Sequence, residues 1–429
     1  MSFKSKLLGD FIALRFLRWR HKKSLKKLQD RGWNKMQAVL EKSEYYQGYT
    51  AQNLPLTEYP IINKAIFMDN FDAINTRGVK LKNAFEVARE AEESRNFAPM
   101  IEDITIGLST GTSGNRGVFL ATESERAQWV GCILDRVIGF SLKQRKVAFF
   151  LRANSNLYSS VKSKLLSFEF FDLMLPMTEH INRINTLQPT ILVAQPSLLI
   201  ELAREVEMGN VNIFPQKIIS VAEVLYPEDA VYLSRVFNQK IHQVYQCTEG
   251  LLATTCSEGT LHFNEDFLII EKRYLDEKKE RFFPIITDLK RSTQPIVRYE
   301  LNDIIHEKEN CPCGSPFTGI AQIEGRADDV LRFKTLENIE KTIFPDFFRR
   351  AIVQSHDSII DYTLVQTEEN RLELFIDSAE VIRNMAKSSI QKLLTDNGIN
   401  AVDIITVNER HHEKGNKLRR IRNDYWKTN

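Results

Sequence analysis

The chain has 429 residues, 43% of them hydrophobic and 27% charged, with a formal net charge of +2. That is apolar material for roughly two to three packed domains; the balanced charge gives no reason to expect a nucleic-acid binder, and no run of about eighteen apolar residues marks a spanning helix. Five cysteines, an odd number in a long chain, argue against a disulfide framework, and with no secretory pattern at the N-terminus a cytoplasmic location is expected.

The first 28 residues carry nine Lys and Arg against one acid, Asp10, while Phe3, Leu7, Leu8, Phe11, Leu14, Leu17 and Leu25 recur at helical spacing. Residues 1–28 therefore read as a basic amphipathic helix, expected to lay its apolar stripe on the body of the protein. Peripheral contact with an anionic membrane is the alternative. Further along, the apolar-leaning segment Ile101 to Leu108 runs into Ser109-Thr110-Gly111-Thr112-Ser113-Gly114-Asn115-Arg116-Gly117, where three glycines alternate with four hydroxyl side chains. Glycine lets the backbone approach a ligand closely, successive N–H groups can converge on an anion, and hydroxyls add donors. No Lys-Ser or Lys-Thr pair follows the last glycine, and the glycine spacing is not the dinucleotide fingerprint. By itself the stretch reads equally as a polyphosphate cradle or as a surface turn.

From about residue 145 short β-rich runs alternate with helical ones. Val147 to Leu151, Thr190 to Ala194, Lys217 to Val221 and Ile241 to Tyr245 read as buried strands, with helices such as Pro196 to Met208 and Pro227 to Phe237 between them. Such alternation implies a parallel sheet with helices on its faces, in which ligands sit outside the carboxyl ends of the strands. The residues just past those ends are Gln195-Pro196-Ser197, Ala222-Glu223 and Gln246-Cys247-Thr248-Glu249-Gly250. A composition shift near Gly325-Arg326-Ala327-Asp328-Asp329 precedes a hairpin over 362–376, a helix from about Glu380 to Leu394 and a strand from Val402 to Val407. The fold class is thus α/β: a large domain over 29–326 with mostly parallel sheets, and a small α+β domain over 327–429.

Six landmarks in order carry a resemblance: the glycine-rich loop, Ser220-Val221-Ala222-Glu223, Tyr245-Gln246-Cys247-Thr248-Glu249, Pro295 to Asp303, Gly325 to Val330, and Gly415-Asn416-Lys417-Leu418-Arg419-Arg420. In this order the chain resembles the adenylate-forming superfamily, which includes acyl-CoA synthetases, over about Asp30 to Arg422. It is most similar to the phenylacetate-CoA ligase branch and its deazaflavin-adenylylating, capsule-associated relatives; Leu54-Pro55-Leu56-Thr57 and Ile61-Ile62-Asn63-Lys64 share that likeness.

The resemblance implies a chemistry. A carboxylic acid, expected to be aromatic, attacks the α-phosphorus of ATP to form an acyl-adenylate, and the acyl group then passes to a thiol, coenzyme A or a carrier protein. The loop Ser109 to Gly117, with Thr110, Gly111, Thr112, Ser113 and Gly114, would hold the departing pyrophosphate. Tyr245 would stack on adenine beside Ala222-Glu223, and Glu249, next to Thr248, would ligate magnesium. Asp303 would accept the ribose hydroxyls and Arg326 would contact ribose or phosphates, with Arg298 structural. Asp328 and Asp329 would form the hinge on which Lys417, the catalytic lysine, swings in and out. Read alone, Tyr245 is a core tyrosine, Glu249 a loop acid, Asp303 and Arg326 surface charges, and Lys417 one of many basic residues in a solvated tail. Phe149, Phe150, Tyr158, Gln195 and Val221 are the candidates for the acid pocket.

The chain departs from the family pattern in places. Asn115-Arg116 stands where a Pro-Lys is usual, Gln246 follows the stacking tyrosine, Asn302 precedes the ribose-binding aspartate, and Phe333-Lys334-Thr335 follows the hinge without a glycine. These changes bear on acid and acceptor more than on ATP. Transfer of AMP to an aromatic hydroxyl is an alternative outcome, as is a non-catalytic membrane-surface scaffold. Separately, Cys311-Pro312-Cys313-Gly314 follows Cys256 and His262 by about fifty residues. These four side chains read either as a Cys3His structural zinc site or as free thiols.

Overall fold

The computed structural model describes residues 3–20, 25–94, 99–109, 116–139, 141, 143–151, 165–335, 337–410 and 417–427. Tyr158 and Thr110 to Gly114 lie outside these. Contacts divide the chain into one unit of residues 1–301 with 306–322 and a second of 302–305 with 323–429.

The first unit opens with the helices Phe3–Arg20 and Leu25–Leu40, the first packed along Glu123–Cys132. Leu14 is buried at that contact and Lys6 pairs with Glu123 at 3.0 Å. A small antiparallel sheet of Met100–Ile101, Ile104–Leu108 and Val118–Thr122 follows, with Ala84 and Ala88 of the helix Leu81–Glu93 packed on Ile104, Ile106, Val118 and Leu120. Alternation along Ile104–Leu108 buries Ile104 and Ile106 on one face, as the period of two requires. Gly107 faces Phe119 across the pair, and a Cβ there would lie 2.1 Å from the ring, so a side chain at 107 would require the Phe119 ring to move. The glycine-rich segment connects the two longer strands of this sheet.

Five strands, Leu166–Asp172, Arg145–Leu151, Ile191–Ala194, Lys217–Ser220 and Ile241–Cys247, run side by side in that spatial order, all parallel. Chain order reverses between Arg145–Leu151 and Ile191–Ala194, since successive strands are added on opposite sides of Arg145–Leu151. The fully buried run Ile191–Ala194 is what a strand covered by helices on both faces demands. Gly250–Thr255 and Leu261–Phe263 extend the sheet antiparallel, so the architecture is mixed α/β. Phe150 points into the core, stacked on Phe171 at 4.5 Å and edge-on to His180 at 5.5 Å. Its described contacts are those of a packing residue.

The second unit has a four-stranded sheet in the order Asp403–Thr406, Arg371–Ile376, Tyr362–Glu368, Ile421–Asn423. The helices Pro345–Val353 and Glu380–Asp396 pack their apolar faces into its core with Phe348, Ile352, Ile390 and Leu394 fully buried. The last strand anchors the tail: Ile421 pairs with Leu364, and the buried Arg420 donates to Ile360 O at 3.1 Å and lies over the Tyr362 ring.

Candidate functional site

A cleft of about 250 Å³, its open mouth included, lies in the first unit and is lined by Lys64, Gly117, Thr248, Glu249, Arg291 and Tyr299, among others. Gly117, the last residue of the glycine-rich segment, forms part of its wall. Ser109 N–H donates to Gly117 O at 2.8 Å, and Gly117 N–H donates to Ser109 Oγ at 2.7 Å, which closes the loop at its neck. Ser109 thus spends its hydroxyl as an acceptor on the last glycine. Arg116, the cation in the loop, turns to Glu92 in a two-pronged pair at 2.8 and 2.6 Å and donates to Ser109 O at 3.0 Å.

Opposite stands the turn after Ile241–Cys247. Tyr299 Oη donates to Glu249 Oε1 at 2.8 Å and Thr248 Oγ1 to Oε2 at 2.9 Å. Burial pushes the Glu249 carboxyl up, but hydrogen bonds from Cys247, Tyr299 and Thr248 outweigh it and hold the group below its usual range. It is therefore a carboxylate at neutral pH. Arg291 fixes the turn by donating to Thr248 O at 2.6 Å and to Gln294 Oε1 at 2.7 Å. Gln294, buried, in turn bonds Val118 O and Leu120 N–H, both at 3.1 Å. One hydrogen-bonded chain thus links the acidic turn to the strand that leaves the glycine loop.

Sequence reasoning singled out Glu249 but passed over Lys64, Arg291, Gln294 and Tyr299. Lys64 opens a short helix capped by Asn63, whose side chain accepts from Ile66 N–H. A Cβ on Gly117 would lie 3.3 Å from Lys64 Cε and 3.9 Å from its Nζ, so the ammonium reaches the loop's last glycine. Ile62 is stitched to the 298–300 segment by Ile62 N–H to Arg298 O and Glu300 N–H to Ile62 O, at 3.1 and 2.8 Å. That pairing carries Lys64 beside Tyr299. The available signal was the Asn-Lys capping pair directly after Ile61-Ile62. Arg298 itself, at φ 45°, is held by Glu271 and by the carbonyls of Thr57 and Tyr59, a structural set of partners.

Parallel register sets the strand ends Ala194 and Ser220 side by side, while Ser220 faces Gln243, four residues before the end of Ile241–Cys247. Gln195 and Ala222-Glu223 therefore follow neighbouring strands, and Thr248-Glu249 follows the longer third one. Ala222 has φ 69°, a left-handed conformation that costs a non-glycine residue roughly 1 kcal/mol or more. Glu223 accepts from Ser197 N–H at 3.2 Å, at the start of the helix Pro196–Glu207. A register shift at Tyr245/Gln246 places the half-buried Tyr245 tilted against Phe263, with centroids 6.5 Å apart.

Within the second unit Asp303, Arg326 and Asp328 gather around Asn302. Arg326 donates to Asn302 Oδ1 at 2.8 Å and lies 3.7 Å from Asp303, and Asn302 Nδ2 donates to Asp328 at 2.9 Å. Asp329 pairs with Arg419. Lys417, half-buried, begins the described part of the segment that enters the strand Ile421–Asn423. Cys256, His262, Cys311 and Cys313 come together in the first unit, with their ligand atoms within 4.8 Å of one another.

No protein-family model matches the chain, and no curated protein matches it with significance. Solved structures do. A 2-hydroxyisobutyryl-CoA ligase in the post-adenylation state, in complex with R3-HIB-AMP, is similar at a TM-score of 0.62 and 15% identity over 97% of this chain and 89% of that one. A benzoate CoA ligase from Burkholderia xenovorans LB400 is similar at 0.53 and 15% identity over 75% and 69%. The amide bond synthetase McbA from Marinactinospora thermotolerans gives 0.54 at 10% identity over 74% and 67%. The fold of this chain is that of the adenylate-forming CoA ligases.

Proposed function

We propose that the chain is an ATP-dependent ligase that activates a carboxylic acid as its acyl-adenylate and passes the acyl group to a thiol, with coenzyme A as the acceptor. The observation that carries this reading is the cleft in which an anionic Glu249, the neck of a glycine-rich loop and Lys64 face one another. The likeness to ligases whose structures contain acyl-AMP supports it.

In the first step the acid's oxygen attacks the α-phosphorus, the bond to the β-phosphate's bridging oxygen breaks, and pyrophosphate leaves. The Ser109–Gly117 backbone and Lys64 take up the leaving charge, with Lys64 in place of the loop lysine that Arg116 does not supply. Glu249 is the group to hold magnesium, a hard cation suited to carboxylate oxygen, which would neutralise the phosphates. Ala222, Glu223 and Tyr245 would flank adenine, and Asp303 and Arg326 the ribose. Lys417 would meet the carboxylate and α-phosphate oxygens. In the second step the thiol sulfur attacks the acyl carbon and AMP departs. The acid would enter near the switch between Arg145–Leu151 and Ile191–Ala194, where Phe149 and Gln195 lie, since crevices form at such reversals.

The test is ATP–pyrophosphate exchange across a panel of aryl and aliphatic acids, with product masses read in the presence of coenzyme A. Acid-dependent exchange and an acyl-CoA mass are expected. A product that retains AMP on a hydroxyl replaces this reading with nucleotidyl transfer, and absence of exchange with every acid removes it.

A further inference from the structure

Cys256, His262, Cys311 and Cys313 line no part of the cleft. Cys256 opens the turn after Gly250–Thr255, where its N–H donates to Thr260 O at 2.8 Å and Gly259, at φ 85°, donates back to Cys256 O at 3.1 Å. His262 follows on the strand Leu261–Phe263 and is buried. Cys311 and Cys313 lie in the ten-residue connection 309–318, which has no regular structure and no buried residue. Along it Cys311, Cys313 and Ser315 are half-buried while Pro312, Gly314 and Pro316 are exposed. Both thiols thus face inward in a segment that apolar burial does not hold.

Two of the distances match edges of a coordination shell, and all four ligand atoms lie within 4.8 Å of one another. Cys256 Sγ is 3.8 Å from Cys311 Sγ, and Cys313 Sγ is 3.4 Å from His262 Nε2. A tetrahedron with zinc–sulfur bonds of about 2.3 Å and a zinc–nitrogen bond of about 2.0 Å has sulfur–sulfur edges of about 3.8 Å and sulfur–nitrogen edges of about 3.5 Å. A disulfide would bring the sulfurs to about 2.05 Å. His262 Nδ1 lies 2.9 Å from Phe317 O. A carbonyl can only accept, so Nδ1 carries the proton and the Nε2 lone pair is turned to the thiols, the orientation that ligating imidazoles take. Ser315 N–H donates to Cys313 Sγ at 3.4 Å, and the ammonium groups of Lys240 and Lys308 stand at the same turn, 2.7 Å from Ser257 O and 3.1 Å from Thr260 Oγ1. Three thiolates and a dication leave one negative charge, which these lysines offset.

We propose that Cys256, His262, Cys311 and Cys313 bind one zinc ion in a closed, structural Cys3His site that fastens the 309–318 connection to the 256–262 turn. Soft thiolates with one imidazole select zinc over the hard cations, and four protein ligands leave no position for a reacting water. Binding displaces the thiol protons. The claim is independent of the adenylating reading.

Protein from zinc-supplemented cells, kept reduced, should hold one zinc per chain by elemental mass spectrometry. Replacement by cobalt(II) should give a thiolate-to-cobalt band in the near ultraviolet and the intense visible bands of a tetrahedral ion. Cys313→Ser should weaken the thiolate band by about a third, one ligand of three, and Cys132→Ala, outside the four-residue cluster, should retain full zinc. Because a cluster variant can fail to fold, the wild-type readings are sufficient by themselves to overturn the proposal. Wild-type protein folded by circular dichroism yet without zinc and without a cobalt spectrum overturns the proposal. So does a Cys256–Cys311 disulfide in peptide maps, or zinc retained undiminished in both Cys256→Ser and Cys313→Ser.

Discussion

At the scale of single residues the cleft sets charged side chains among neutral hydrogen-bond partners. Glu249 keeps its negative charge because three donors aim at it, and Glu249→Gln keeps the shape while removing the charge. If Glu249 holds magnesium, this change should lower kcat/KM for ATP by roughly a hundredfold, the size of losing one charge-stabilising contact. Lys64 and Arg116 make a sharper comparison. Lys64→Ala should raise the KM for ATP or pyrophosphate about tenfold, some 1.4 kcal/mol, whereas Arg116→Ala, already engaged by Glu92, should change it little; the reverse order would return the phosphate role to the loop's own arginine. Asp288 offers a pH signature. It lies under Gly250, and burial pushes its carboxyl from an ordinary 3.8 up to about 6 despite N–H donors from Lys290 and Arg291. Between those values the folded chain binds the proton more tightly than the unfolded chain, so this contribution to stability falls as pH rises across the window. Above it the cost is about 3 kcal/mol. Urea unfolding of Asp288→Asn against wild type should show the variant gaining from about pH 4 to about pH 7, and a constant difference would refute the assignment.

Among the elements, the N-terminal helix shows where periodicity stops being informative. The notion of one apolar stripe fits Leu14, buried against Glu123–Cys132, and Gly131, where a Cβ would sit 3.4 Å from Asp10. Yet Leu8 and Ile12 are 59% and 57% exposed, so apolar residues face both ways. Deleting residues 1–28 should lower Tm by several degrees, since losing even one buried leucine costs about 2 kcal/mol. An unchanged Tm would show that the helix contributes no packing. Flotation with anionic vesicles on the same pair of proteins reads the exposed face: binding that disappears with the helix, in protein that stays folded, assigns Leu8 and Ile12 to a lipid surface. The strands were easier to place. Ile191–Ala194 and Lys217–Ser220 announced themselves as short β-branched runs bounded by turn residues, and the helix Pro227–Phe237 by its leading proline.

For the molecule as a whole the proposal requires the second unit to serve one half-reaction with Lys417. Lys417→Ala should abolish acid-dependent pyrophosphate exchange, leave ATP binding in place, and spare thioester formation from supplied acyl-adenylate; undiminished exchange would take Lys417 out of its role. Much of this architecture was legible along the chain. Alternating apolar runs, prolines at helix starts and turn residues after strands are local signals, and they fix which segments are strands and helices and which residues fall at the strand ends. The glycine-rich loop and Thr248-Glu249 stood out in the same way. Lys64, Gln294 and Tyr299 did not, because the Asn63 cap beside Lys64 marks only a helix start and nothing local ties any of the three to a shared site. They become neighbours only when Ile62 pairs with the 298–300 segment and Gln294 bonds Val118 across 176 positions. Nor does spacing alone set Cys256 beside Cys311. Local composition determined the elements and the candidate chemistry, while long-range backbone pairing decided which side chains share a cleft, which arginine is spent on an acid, and which thiols meet.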